Sequence, residues 1–381
     1  RHVDRRVRYF AFPWATLIDN LLHNKKNPQR TEFLRQKLLA QKAHLAGATT
    51  IITTCQHIHM LKFQSLFKEM GITDIFWSHK TKEQCSLPEY QEISLHPFPL
   101  YPVQAVDAPN SPPLPKKHLY SFVGAKANQY YLTQSRNIII DHLAKTNTGF
   151  VTGNDTWHYN KIVYDHQVRG VEAKPDALVD NNASENFKLI LRQSVFSLCP
   201  SGTGPNSIRL WESIGIGSIP VIMADTLALP GNQDLWNEAV VFCKEDMKSI
   251  LALPKILKDI HGDPVKLERK RHAMMQLWKL YGTDNFVHDI LKLIVEKAQD
   301  ARLQKIAPLI EMPFVTGTKG SLRSLNAITT EILISPDLIE SRLVAERSQI
   351  KVLFEQASDN QKDIFIRALA AHNLTAIWEK E

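Results

Sequence analysis

The chain has 381 residues, enough for two domains of ordinary size, and its 44% hydrophobic and 22% charged residues are those of a globular protein. No run of about 18 apolar residues occurs, which argues against a membrane-spanning helix. Cys55, Cys85, Cys199 and Cys243 are scattered with no Cys-x-x-Cys pair, so a disulfide scaffold is excluded, and with no signal peptide visible a cytoplasmic setting is expected. The net charge of +7 raises a nucleic-acid partner. The basic residues are spread along the chain without any nucleic-acid motif, and no nucleic acid is expected. The excess charge suits nucleotide diphosphates, anionic glycans or a phospholipid surface equally well.

In chain order, Val7 to Phe12 reads as a first strand ended by Pro13, and Thr31 to Leu45 has helical spacing. Thr49 to Thr54 is a β-branched strand, His57 to Met70 a helix ending at Gly71, and Asp74 to Trp77 a short strand. Alternating strand and helix predicts a doubly wound parallel sheet over residues 1–106. Asp107 to Lys117, DAPNSPPLPKK, reads as a Pro-rich linker. A second α/β domain is expected over 118–298, with strands at 119–123, 149–152, 195–199, 219–223 and 239–242. Its helices are expected at 135–145, 185–193, 207–214, 246–259 and 265–298. The long polar stretch 154–182 reads as a loop, and 299–381 as a helical C-terminal extension with helices at 336–357 and 359–378.

The most informative stretch is Ser194 to Pro230. A buried strand ends at Pro200 and is followed by Ser201-Gly202-Thr203-Gly204-Pro205-Asn206, a helix from Ser207 stopped by Gly217, and a second buried strand. Unpaired N–H groups and a positive dipole at a helix N-terminus make an anion site, and Gly202 and Gly204 let backbone approach a ligand closely. Asn206 or Ser207 is placed to cap the helix. Arg209 and Glu212, three apart, share a face with Ser207. A cation and a carboxylate there suit a nucleotide sugar, the cation on the diphosphate and the carboxylate on hydroxyls. The loop matches neither G-x-G-x-x-G nor G-x-x-x-x-G-K-[ST]. Asp225, just past the next strand, sits where α/β sheets place ligand contacts, and reads equally well as a plain turn residue. Lys126, Arg136 and the cluster Asp155-Thr156-Trp157-His158 are further candidates for the donor side, Lys126 first among them.

The run S-x-F-x-L-C-P-x-G-x-G-x-x-S-x-R-L-x-E-S-x-x-x-G-x-I-P-V-I resembles the C-terminal signature of exostosin-like glycosyltransferases. Tyr120 to Ala125 and Ser135-Arg136 resemble that family's entry to the same domain. The resemblance covers roughly Leu119 to Ile260. It implies a GT-B-type α/β fold, two Rossmann-like domains with a cleft between them, and a donor site at Ser201, Gly202, Gly204, Ser207, Arg209 and Glu212. It also implies inverting transfer of a sugar from a nucleotide, UDP by expectation, to a glycan or lipid-linked glycan. The diphosphate would be held by cations and backbone amides, so no metal or other cofactor is expected; no DxD triplet occurs. An anchor-free look suggests bacterial surface polysaccharide synthesis (lipopolysaccharide or capsule) in the cytoplasm, with peripheral membrane contact at its inner face.

An inverting enzyme needs a base for the acceptor hydroxyl. His79 is the first candidate, and Asp19, His57 and His59, each also following a predicted strand, are the alternatives. Trp14 and Trp77 are candidates for stacking on a sugar, although burial is the commoner fate of a tryptophan. The rival functional class is a non-catalytic nucleotide-sugar- or glycan-binding subunit partnered with an active transferase.

Overall fold

The computed structural model describes residues 7–23, 27–105, 114–154, 181–297, 325, 328–329, 332, 343–344, 347–357 and 359–379. The N-terminal elements are β1 (Val7–Phe10), α1 (Trp14–Leu22), α2 (Pro28–Ala40), α3 (Lys42–Leu45), β2 (Thr50–Cys55), α4 (Gln64–Glu69), β3 (Asp74–Trp77) and β4 (Ser94–Pro97). They form a sheet ordered β1-β2-β3-β4, in which β3 and β4 run parallel with Asp74 opposite Ser94. Several features depart from the expected elements, among them the helix expected over His57 to Met70, which is confined to Gln64–Glu69 after a tighter turn at Met60–Phe63. Helix α1 is additional to them, although Trp14, Leu17 and Ile18 have helical spacing and are all buried. Helix α2 begins earlier than the periodicity suggests, because the Asn27 side chain accepts from Arg30 N at 3.1 Å and Pro28 fills the first turn. Strand β4 is hidden at the start of the proline-rich run HPFPLYP.

The second sheet is assembled from β5 (His118–Ala125), β6 (Gly149–Asn154), β7 (Ser194–Pro200), β8 (Ile219–Met223) and β9 (Val241–Phe242). All pairings are parallel, in the order β6-β5-β7-β8-β9. The helices are α5 (Ser135–Ile138, continued by a wider turn over Ile139–Leu143), α6 (Asn181–Arg192), α7 (Ile208–Ile216), α8 (Gln233–Ala239), α9 (Met247–His261) and α10 (Pro264–Tyr281). The chain moves one way from β5 to β6 and the other way through β7, β8 and β9. Right-handed crossovers therefore put α5 on one face and α6, α7 and α8 on the other. Trp211 of α7 and Trp236 of α8 meet edge to face at 5.6 Å, as helices sharing a face should. The order reverses between β5 and β7, and in open α/β sheets ligands bind outside the carboxyl ends of such a strand pair.

Every residue of β7 is buried, which explains its continuous apolar reading, and α7 ends at Gly217 in the left-handed conformation with φ 88°. The expected strand 239–242 is shortened because α8 runs to Ala239. The Asn232 side chain accepts from Asp234 N at 2.7 Å and starts that helix inside what reads as a loop. The long helix expected over 265–298 is broken into α10 and α11 (His288–Lys297), with Gly282 in the gap.

The chain divides into two compact units. One comprises Phe10–Ala46 and Thr53–Trp278. The other comprises Arg1–Tyr9, Gly47–Ile52 and Lys279–Glu381 and has its own apolar core, with Leu291, Val295, Ile350, Phe365, Leu369 and Trp378 buried together. Its described helices include α12 (Arg347–Gln356), α13 (Asp359–Ala371) and α14 (Thr375–Glu379), and Phe365 and Trp378 meet edge to face at 5.0 Å. Residues 107–113 of the expected linker, the cluster Asp155–His158 and most of 299–346 lie outside the described residues. No helix among the described residues is long and apolar enough to cross a membrane.

Candidate functional site

All described candidate residues fall in the unit Phe10–Ala46 and Thr53–Trp278, and the donor-side ones gather at the carboxyl ends of β5 and β7. Arg209, in the first turn of α7, reaches across to β5 and donates from Nη2 to the Val123 carbonyl oxygen. Its guanidinium lies 4.6 Å from the centre of the Phe122 ring. Arg136, at the start of α5, arrives at the same place from the opposite face. It donates from Nε to Ser201 O at 2.9 Å and from Nη1 to Ala125 O at 3.2 Å, with Tyr131 stacked at 4.9 Å.

Between the two guanidiniums lies Gly124. A Cβ there would stand 2.6 Å from Arg209 Nη2, too close for Arg209 to keep its place, and 3.5 Å from Arg136 Nη1, an ordinary contact. Both side chains are buried, at 8% and 9% exposure. Neither is ion-paired to a carboxylate among the described residues, and Arg209 Nε has no hydrogen-bond partner. Burial, then the Arg209 charge, pulls the Arg136 guanidinium down to about 10, and burial lowers that of Arg209. Both remain cations at neutral pH. Two like charges, each hydrogen-bonded only to carbonyl oxygens, make an electropositive spot that the nearby Glu245 and Glu212 carboxyls partly offset.

Glu212, one turn further along α7, does not pair with Arg209. It is 3% exposed, and its Oε1 accepts from Gln104 N at 3.3 Å. Burial pushes its carboxyl up to about 7, against the lowering effects of the Gln104 N–H and Arg209. Ser207 occupies the N-cap position without a side-chain cap bond. Asn206 is fully engaged: its amide donates to Ser78 O at 2.8 Å and its carbonyl accepts from Trp211 Nε1 at 2.9 Å. The first of these bonds ties the glycine-rich loop to the chain after β3. Gly202 N donates to Gly204 O at 2.9 Å, closing the loop on itself.

Ser201 is buried and donates from Oγ to Glu245 Oε1, the same oxygen that accepts from Thr133 Oγ1 at 2.9 Å and Ser135 Oγ at 3.2 Å. Sequence reasoning misses Glu245. It lies 44 positions from Ser201, and its only signal is a place just beyond β9, at the carboxyl edge of the sheet. Asp225 is exposed; its Oδ2 accepts from Glu245 N at 3.4 Å and its carbonyl from Lys82 Nζ at 2.9 Å. Lys126 is exposed at the end of β5, with its N–H on Asn154 O.

On the far side of the glycine-rich loop stand the candidates for a base. A Cβ at Gly204 would lie 2.4 Å from His79 Nδ1 and 2.7 Å from Ile58 Cγ2, so the loop abuts both the strand-end histidine and the segment His57-Ile58-His59. His79 is 7% exposed, its Nδ1 has no partner, and burial pulls its imidazole down to about 4, helped by the nearby His57 and His59. Burial and Lys62 lower that of His59. Asp19, on α1, is joined to His57: Oδ1 lies 3.0 Å from Nε2. Trp14 and Trp77 are core residues, 1% and 4% exposed, and neither offers a face to a sugar.

The profile of the Exostosin GT47 domain matches residues 43–260, more than half of the chain. The chain belongs to the exostosin GT47 family. Among curated relatives, a probable glucuronosyltransferase of rice (Oryza sativa subsp. japonica) is 38% identical over 86 residues, 22% of this chain and 19% of the relative. Exostosin-1b of zebrafish (Danio rerio) is 29% identical over 135 residues, 34% of this chain and 17% of that protein. The chain thus spans less than a fifth of the length of these two relatives. Among solved structures, a glycosyltransferase from Rickettsia africae aligns over 74% of this chain and 82% of that one, with a TM-score of 0.38 and 12% identity.

Proposed function

We propose that this exostosin-family chain transfers a sugar from a UDP-sugar to a glycan hydroxyl with inversion at the anomeric carbon. One observation carries the reading. Two buried guanidiniums, bonded to carbonyl oxygens only, converge at the strand switch point beside a glycine-rich loop. A diphosphate is the ligand whose charge and paired oxygens answer that arrangement. In the transfer, the acceptor oxygen bonds to the anomeric carbon as the bond from that carbon to the phosphate oxygen breaks. The electron pair leaves with the diphosphate, where Arg136 and Arg209 stabilise the growing negative charge. Gly202 and the exposed Lys126 lie on the same edge and belong to the proposed donor contacts, as does Asp225, whose Oδ2 accepts from Glu245 N. Ser201 and Asn206 hold the loop in shape.

The relatives named as glucuronosyltransferases make UDP-glucuronic acid the first donor to test. They come from rice and a moss, the exostosins from zebrafish, and none of them bears on a bacterial surface polysaccharide. A cytoplasmic location with peripheral membrane contact stays part of this proposal, and cell fractionation tests it.

The test is isothermal titration of wild type and Arg209→Lys with UDP, UDP-glucuronic acid and a control nucleotide. Lysine keeps the charge and loses the planar fork. Affinity for UDP should fall at least about thirtyfold, since breaking a buried charged contact costs about 2 kcal/mol or more. Equal affinity in the two proteins would remove the donor site from this place.

A further inference from the structure

Which group takes the acceptor proton is the open chemical question, and any answer to it rests on the transferase reading. We propose that Asp19 is the general base of the transfer and that His57 is its positioning residue, with the imidazole locked in one tautomer by the backbone N–H of His59.

The lock follows from three hydrogen bonds. His59 N lies 3.0 Å from His57 Nδ1, and a backbone nitrogen can only donate, so Nδ1 is the acceptor nitrogen of the ring. The proton of the neutral imidazole is therefore on Nε2, which points at Asp19 Oδ1 at 3.0 Å. Trp77 Nε1 donates to His57 O at 2.9 Å and fixes the backbone that carries the ring. The carboxylate is thus oriented through one oxygen, and among the described residues none bonds the second, whose lone pairs can take a hydroxyl proton. Its side chain is 13% exposed and that of His57 10%, so the pair is largely shielded from bulk water and held in one geometry.

Position supports the assignment. The segment carrying His57 and His59 is the one that Gly204 abuts through Ile58, so the histidine that holds Asp19 belongs to a segment packed on the glycine-rich loop. Two of the other candidates are worse suited. Both ring nitrogens of His57 are used. The ring of His79 is 7% exposed and packs with Nδ1 against Gly204, which leaves it no approach to an acceptor hydroxyl. In the step proposed, the acceptor O–H proton passes to Asp19 as the new C–O bond forms and the UDP leaves with the bonding pair.

The experiment measures UDP release from UDP-glucuronic acid, UDP-glucose, UDP-galactose and UDP-N-acetylglucosamine, with water and with hexose- and hexuronate-terminated oligosaccharides as acceptors. UDP affinity is measured by calorimetry in parallel. Asp19→Asn should lower turnover about 10²–10⁴-fold with UDP affinity within about twofold of wild type. His57→Gln, whose amide nitrogen reaches the place of Nε2, should retain most turnover. His57→Asn, whose amide reaches only the place of Nδ1, should lose most of it, a contrast that a merely structural histidine would not give. Wild-type turnover in Asp19→Asn, or equal loss in both His57 variants, overturns the proposal. UDP binding without release from any donor overturns it too while leaving the donor site standing, whereas absence of UDP binding in wild type removes the transferase reading itself.

Discussion

At the residue scale, Glu212 shows how burial changes the meaning of a side chain. As an exposed helix residue it would be an ordinary partner for Arg209, worth a few tenths of a kcal/mol. Instead it is almost wholly buried against the Gln104 backbone, and its carboxyl is pushed up to about 7. An unfolded glutamate titrates near about 4.3. Between those values the folded state holds a proton that the unfolded chain has lost, so stability falls as pH rises through this window. Glu212→Gln keeps an acceptor for Gln104 and removes the titration. The variant should match wild type at pH 4 and be more stable at pH 8, by on the order of 3 kcal/mol, as read from denaturant midpoints. A pH-independent difference would mean that the carboxyl is not the titrating group.

Gly124 and Gly204 matter at the scale of elements, because each is where two elements approach more closely than a side chain allows. Gly124 lies near the end of β5 where the guanidiniums from α5 and α7 converge, and Gly204 brings the loop before α7 against His79 and Ile58. Gly124→Ala should displace Arg209 and weaken UDP binding about tenfold or more while leaving helix content unchanged by circular dichroism; unchanged affinity would show that the two arginines do not act together. The sequence marks both places as glycine-containing ends of strands. It does not reveal that α5 and α7, on opposite faces of the sheet, deliver one arginine each to the same spot.

For the whole molecule, the site unit and the unit built around Phe365, Leu369 and Trp378 each have their own apolar interior. The donor reading holds the diphosphate with guanidinium groups and backbone amides rather than with a cation. Dialysis against EDTA should therefore leave UDP affinity and turnover within about twofold, and restoration of lost activity by Mg²⁺ or Mn²⁺ would overturn that expectation. Family membership rests on the match over residues 43–260, which takes in part of the first sheet as well as the whole motif stretch.

The amino-acid sequence by itself determined the parallel α/β class, the strand–loop–helix–strand unit at 194–223 and the family. Those depend on local periodicity, on glycine and proline placement, and on a motif contiguous in the chain. Only the tertiary structure decided the rest. Asp19 and His57 are 38 positions apart, Arg136 and Ser201 are 65 apart, and Ser201 and Glu245 are 44 apart. No periodicity links such positions, because crossover connections in a parallel sheet bring strand ends together irrespective of their distance along the chain. Burial likewise set the working state of His79 and Glu212, since the cost of a charge depends on what surrounds it and not on its neighbours in sequence.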